Sequence, residues 1–170
     1  MDSADETIDR DRLEDYLNHH LLGAQSGVRM FQTASDTWRG TEYEQQFTDL
    51  AEQVYQDQQT VEKLIDRLGM KVPITGKAIG KAAQVAGRLN PVNLTRSKTR
   101  GMTQVEMDIL QGALQAKSGM WHVLGLLAVQ FPDAGLDRQE MEVLYQRAQD
   151  QEAQVRRISE ETLGTRFIDR

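Results

Sequence analysis

Residues 69–102, GMKVPITGKAIGKAAQVAGRLNPVNLTRSKTRGM, decide the fold class. Long helical patterns stand on either side of this stretch. It far exceeds the roughly two to eight residues that usually join neighbouring helices of a bundle. A connection of this length can run the full length of a helix, so it can join two helices at opposite ends of a bundle.

Upstream, apolar residues recur at Leu13, Leu17, Ala24, Gly27, Phe31, Ala34 or Ser35, and Trp38, the mixed three and four spacing of one helix face. This predicts helix A over 8–37. Thr41 with Glu44 three residues on has the pattern of a capping box. Helix B follows over 41–68, with Tyr43, Phe47, Leu50, Ala51, Val54, Val61, Leu64, Ile65 and Leu68 facing inward. Downstream, Thr103 and Glu106 repeat the capping pattern at the start of helix C (103–130). Its apolar face is Ile109, Leu110, Ala113, Leu114, Met120, Trp121, Leu124, Leu127 and Ala128. Pro132 closes it. Asp137 caps helix D (137–163), which buries Met141, Leu144, Ala148, Val155 and Ile158. Two tight hairpins and one long crossover are the ferritin-like arrangement of an all-α four-helix bundle, here a single domain over 1–170.

Four segments also carry a resemblance: LEDYLNHHLLGAQSGVRMF in helix A, LAEQVYQDQQTVEKLIDRLG in helix B, GKAAQVAGRLNPVNLTRSKTRG in the crossover and EMDILQGALQAKSGMWHVL in helix C. In this order they resemble a group of uncharacterised bacterial ferritin-like proteins. The resemblance implies the fold and no particular activity. Di-iron members of the wider superfamily take a Glu from each of two helices and a Glu-x-x-His from each of the others. Here the three histidines are His19, His20 and His122, preceded at three residues by Tyr16, Leu17 and Gly119, so no Glu-x-x-His exists. Helix D offers Gln146, Gln149 and Gln151 where carboxylate and imidazole would be wanted.

At 100° per residue, His20 lies within the apolar stripe of helix A, His19 lies a quarter-turn off it, and His122 faces away from the stripe of helix C. Lys117 falls at the centre of the helix C stripe, an ammonium aimed at the core. Asp57 and Gln58 straddle the buried face of helix B, and Gln151 and Glu152 that of helix D. All are near mid-helix, which predicts one polar layer of His20, Asp57, Gln58, Lys117, Gln151 and Glu152 at the bundle's waist. Lys117 is expected to neutralise Asp57 or Glu152 there, because an isolated buried charge is too costly. The alternatives are snorkelling to the surface or a functional lysine with a depressed pKa in a ligand pocket. No metal is expected, and a residual site on His20, Asp57 and Glu152 is the alternative.

Between Lys71 and Val105 lie seven basic and no acidic residues, although the whole chain carries a net charge of −6. Residues 76–89 read as a short helix with Lys77, Lys81, Gln84 and Arg88 on one face and Ile79, Ala82, Ala83, Ala86 and Leu89 on the other. Lys77, Lys81, Arg88, Arg96, Lys98 and Arg100 are the anion-binding candidates. No aromatic residue interleaves with them, which disfavours nucleic acid, and the alanine-rich face suits helix packing better than lipid. A crossover lying on its own acidic bundle is preferred.

There is no cysteine, hence no disulfide, thiolate metal site or thiol nucleophile. GKAIGKA lacks the spacing and the Ser/Thr of a phosphate loop, and no Gly-x-Ser-x-Gly element appears. MDSADETIDRDR has no apolar core, and no apolar run approaches the ~20 residues that span a bilayer. The expectation is a cytoplasmic, non-enzymatic bundle without a cofactor, acting on a protein partner not specified by the sequence, a second copy of itself included.

Overall fold

The computed structural model describes residues 7–72 and 101–168. The described chain is all-helical, with four long helices and no strand. Helix α1 spans Arg10–Thr37, α2 Tyr43–Arg67, α3 Gln104–Gln130 and α4 Arg138–Glu161, and a last short turn of helix, α5, spans Gly164–Phe167. No described helix is long and apolar enough to cross a membrane. The crossover helix expected over 76–89 and the six anion-binding candidates Lys77, Lys81, Arg88, Arg96, Lys98 and Arg100 lie outside the described residues.

Three of the long helices start at a residue whose side chain accepts from a free N–H group of the first turn. Asp9 accepts from the Arg12 amide at the start of α1, and Asp137 accepts from the Glu140 amide at the start of α4. Thr103 and Glu106 form the full reciprocal box at α3. At α2 the expected box is offset. Thr41 Oγ1 accepts from the Tyr43 amide at 3.2 Å, and the Glu44 carboxylate reaches back to the Gly40 amide at 2.7 Å. The helix therefore begins at Tyr43, one residue later than a Thr41 cap would place it.

Helices α1 and α2 pack as one hairpin, α3 and α4 as another. The buried side chains fall into two clusters. One joins Leu13, Leu17 and Leu21 of α1 to Val61, Leu64 and Ile65 of α2, Met120, Trp121 and Leu124 of α3, and Met141, Leu144 and Ala148 of α4. The other joins Val28, Phe31 and Ala34 to Phe47, Leu50 and Val54, Met107, Leu110 and Leu114, and Val155 and Ile158. The first half of α1 thus meets the second half of α2, the second half of α3 and the first half of α4. So α1 and α4 run one way, α2 and α3 the other, and the chain from Val72 to Gly101 joins opposite ends of the bundle, about 40 Å apart at 1.5 Å per residue.

The buried stripe of α1 is wider than the single seam read from its periodicity. Leu21 and Val28 are buried, while Ala24 and Ser35 are half-buried. The reason is that α1 packs against α2 on one side and faces α3 on the other. Ile109 and Ala113 of α3 are likewise half-buried, because they face a space between α1 and α3.

Three glycines interrupt α3. Gly119 is exposed, and a Cβ built there meets nothing within 4 Å. Gly119→Ala should therefore stabilise the protein by about 0.8–1 kcal/mol through helix propensity alone. Urea unfolding reads this directly, and a neutral or destabilising result would show that the glycine serves a contact.

Candidate functional site

Between the two apolar clusters, side chains from α2, α3 and α4 form a polar layer. Lys117 of α3 places its Nζ 2.5 Å from Asp57 Oδ2 on α2, and also donates to Gln151 Oε1 on α4. Gln151 donates in turn to Asp57 Oδ2 at 3.2 Å and to Gln53 Oε1 at 3.1 Å. Arg147 of α4 approaches the other carboxylate oxygen, its Nε lying 3.4 Å from Asp57 Oδ1, and donates to the Gln53 carbonyl at 3.3 Å and to Gln56 Oε1 at 2.9 Å. Asp57 and Gln151 are each 2% exposed, and the Lys117 side chain 12%. Charged groups this deep persist only when paired; Asp57 and Lys117 are hydrogen-bonded to each other through Oδ2, while the buried Oδ1 has the Arg147 ion pair and no hydrogen bond among the described residues.

Electrostatics follows from the burial. Desolvation pushes the Lys117 ammonium below the ordinary lysine value, and the Asp57 carboxylate opposes that shift. Burial also lowers the pKa of His20, with adjacent His19 adding to the effect.

Of the six residues expected in the layer, three meet there: Asp57, Lys117 and Gln151. Gln58 turns along its own helix and donates to Glu62 at 3.0 Å. Glu152 is half-buried and makes no hydrogen bond or ion pair among the described residues; the neighbouring position on α4, Gln151, takes the inward direction instead. His20 is half-buried and sets its ring edge-on to Tyr16, with centroids 4.6 Å apart, rather than bonding to Lys117. His19 and His122 are exposed. The alternative metal set is not assembled: among the described residues no three His, Asp or Glu side chains converge, and Asp57 is already held by two cations.

Arg147 and Gln53 belong to the layer and were not expected in it. Both sit on the flanks of their apolar stripes, beside Ala148 and Val54. The only signal for them is length, since a long side chain on a flank can reach a buried charge that its Cα does not face.

Beside this layer, between α1 and α3, lies a cleft of about 620 Å³. It exists because the facing positions are small: Gly23, Ala24 and Gly27 on α1 oppose Gly112, Ala113 and Ala116 on α3. Cβ atoms built at Gly23 and Gly112 meet nothing within 4 Å. Phe31, Val54, Val61 and Met120 supply apolar walls, Lys117 and Asp57 the polar end, and His20 and Arg29 also line the cleft. The volume is that of an ordinary small-molecule site, apolar with few polar groups.

Comparison with protein-family models, with curated proteins and with solved structures finds no match to this chain. What can be said of its function rests on the layer and the cleft.

Proposed function

We propose that the chain is a ferritin-like bundle that has given up the metal layer of di-iron relatives for an ion pair, and that it acts without catalysis as a structural or interaction protein, in a scaffolding or stress-related role. The observation that carries this reading is the Lys117 ammonium, 2.5 Å from Asp57 Oδ2 at mid-bundle. A fixed cation at the waist does the electrostatic work that metal ions would otherwise do there. The donor set does not fit a di-iron group. Among the described residues its one buried carboxylate at this level, Asp57, is paired with Lys117 and Arg147, and Gln53 and Gln151 are neutral. Further support comes from the direction of the helices, with two tight hairpins and a connection between opposite ends.

Elemental analysis of protein purified without an affinity tag tests the reading. The expected result is no iron, manganese or zinc at stoichiometric level. One bound metal ion per chain, retained through dialysis against a weak chelator, would overturn it.

A further inference from the structure

We infer that the α1–α3 cleft is a binding site for a monoanionic amphiphile, an aliphatic carboxylate whose head meets Lys117 and whose tail lies along the small-residue walls. The inference rests on the ion-pair layer described above.

The argument begins with charge. The layer holds two cations, Lys117 and Arg147, against one carboxylate, Asp57. Arg147 is a third exposed and does not line the cleft, so solvent meets its charge; among the described residues of the cleft wall Lys117 and Arg29 face one carboxylate, an excess of one positive charge in a protein whose net charge is −6. An ammonium has three N–H donors. Lys117 gives two to Asp57 and Gln151, which leaves one without an acceptor among the described residues. Lys117 is also a wall residue of the cleft, and among the described residues Asp57 is the only acidic one on that wall, against Lys117, Arg29 and two histidines. A single carboxylate head supplies both the missing acceptor and the missing charge, and a charge-assisted hydrogen bond of this kind is stronger than a neutral one.

Shape supplies the rest. From Gly23 to Thr33 the α1 side of the cleft runs about 15 Å at 1.5 Å per residue. Along this length α1 presents Ala24, Gly27, Met30 and Phe31, and antiparallel α3 presents Ala113 and Ile109. Since α1 and α3 run in opposite directions, Lys117 and His20 share one end of the cleft, and Ile109 and Phe31 the other. A polar end followed by a mostly apolar trough describes a head and an extended tail. A highly polar ligand would leave the apolar trough unmatched, and an uncharged one would leave Lys117 without a charged third acceptor.

The test uses three probes with one tail and different heads, laurate, dodecanol and dodecyltrimethylammonium. Each is titrated calorimetrically below its micelle concentration into full-length protein whose metal content has been measured. Laurate should bind at least about tenfold more tightly than dodecanol, as a charge-assisted bond requires, and the cationic probe should not bind. Lys117→Met should reduce laurate to the level of dodecanol. Gly112→Leu, which fills the trough and leaves the layer intact, should abolish both, so the result does not hang on whether the lysine variant folds. Equal binding of all three heads would overturn the inference. So would no binding at all, the outcome expected if a second copy or the chain's own remaining residues cover the cleft. Failure in metal-free protein sinks the ligand site alone, whereas stoichiometric metal sinks the ion-pair reading beneath it.

Discussion

Asp57→Asn should destabilise the protein by about 4 kcal/mol near neutral pH, more than Lys117→Met, which should cost about 2–3 kcal/mol, the range for breaking a buried pair being about 3–5 kcal/mol. The asymmetry follows from the partners. Asp57 has two cations, so without Lys117 it keeps Arg147 at 3.4 Å and Gln151 at 3.2 Å. Lys117 has one carboxylate, and without it the ammonium is left with Gln151 and the substituted amide. Its loss is capped by proton release: from an ordinary value near 10.4 to pH 7, at about 1.36 kcal/mol per unit, the cap is about 4–5 kcal/mol.

That cap gives the variant a pH signature. Burial already lowers the Lys117 pKa, and the Asp57 carboxylate is what opposes the shift. In Asp57→Asn the opposition is gone, so the folded-state pKa falls further while the unfolded value stays near 10.4. Between those two values the unfolded state binds more protons, so the variant's stability rises with pH in that window. The deficit against the parent protein should be full near pH 7 and much smaller near pH 9.5. Urea unfolding at both values measures it. A deficit independent of pH would mean that the lysine of the variant has swung into the cleft and reached water. The double variant Asp57→Leu/Lys117→Met should regain much of the loss, because apolar residues of similar volume often replace a buried ion pair at little cost. Arg147, whose side chain is 33% exposed, is free to turn outward.

The other large effect is expected at Gly101, where the chain enters α3. Its φ is +101°, a conformation that side chains rarely adopt, and an added Cβ would lie 2.9 Å from Cη2 of Trp38. The indole is 5% exposed and also packs edge-on to Tyr43, with centroids 5.3 Å apart, so it has little room to retreat. Backbone strain of about 1–3 kcal/mol and overpacking of a similar size put Gly101→Ala at about 3 kcal/mol or more. Gly40→Ala is the control: φ is +79° there, but nothing lies within 4 Å of the added Cβ, so only the backbone cost of about 1–2 kcal/mol applies. Thermal unfolding of the two variants separates the contributions. Equal losses would show that Gly101 is needed for its backbone and that the contact with Trp38 is incidental.

The sequence by itself determined the helices, their polarity and the charge at the waist. Periodicity places Leu17, Phe47, Leu110 and Val155 inside because a helix that buries one stripe must repeat it every three or four residues, and all four are buried. Capping residues mark Thr103 and Asp137 because free N–H groups need acceptors that only a few short side chains supply. Lys117 stands out for the same reason, as a cation where the stripe requires an apolar residue. Tertiary structure alone decided who meets it. Asp57 and Gln58 are adjacent on one helix, as are Gln151 and Glu152, and a small rotation of each helix about its axis selects Asp57 and Gln151 and leaves Gln58 to bond Glu62 on its own helix. That rotation is set by packing across all four helices, and no local spacing encodes it. The cleft has the same origin. Gly23, Ala24, Gly27, Gly112, Ala113 and Ala116 could equally have brought two helices into close contact; whether small residues close a gap or leave one depends on how the larger side chains on either side hold the helices apart.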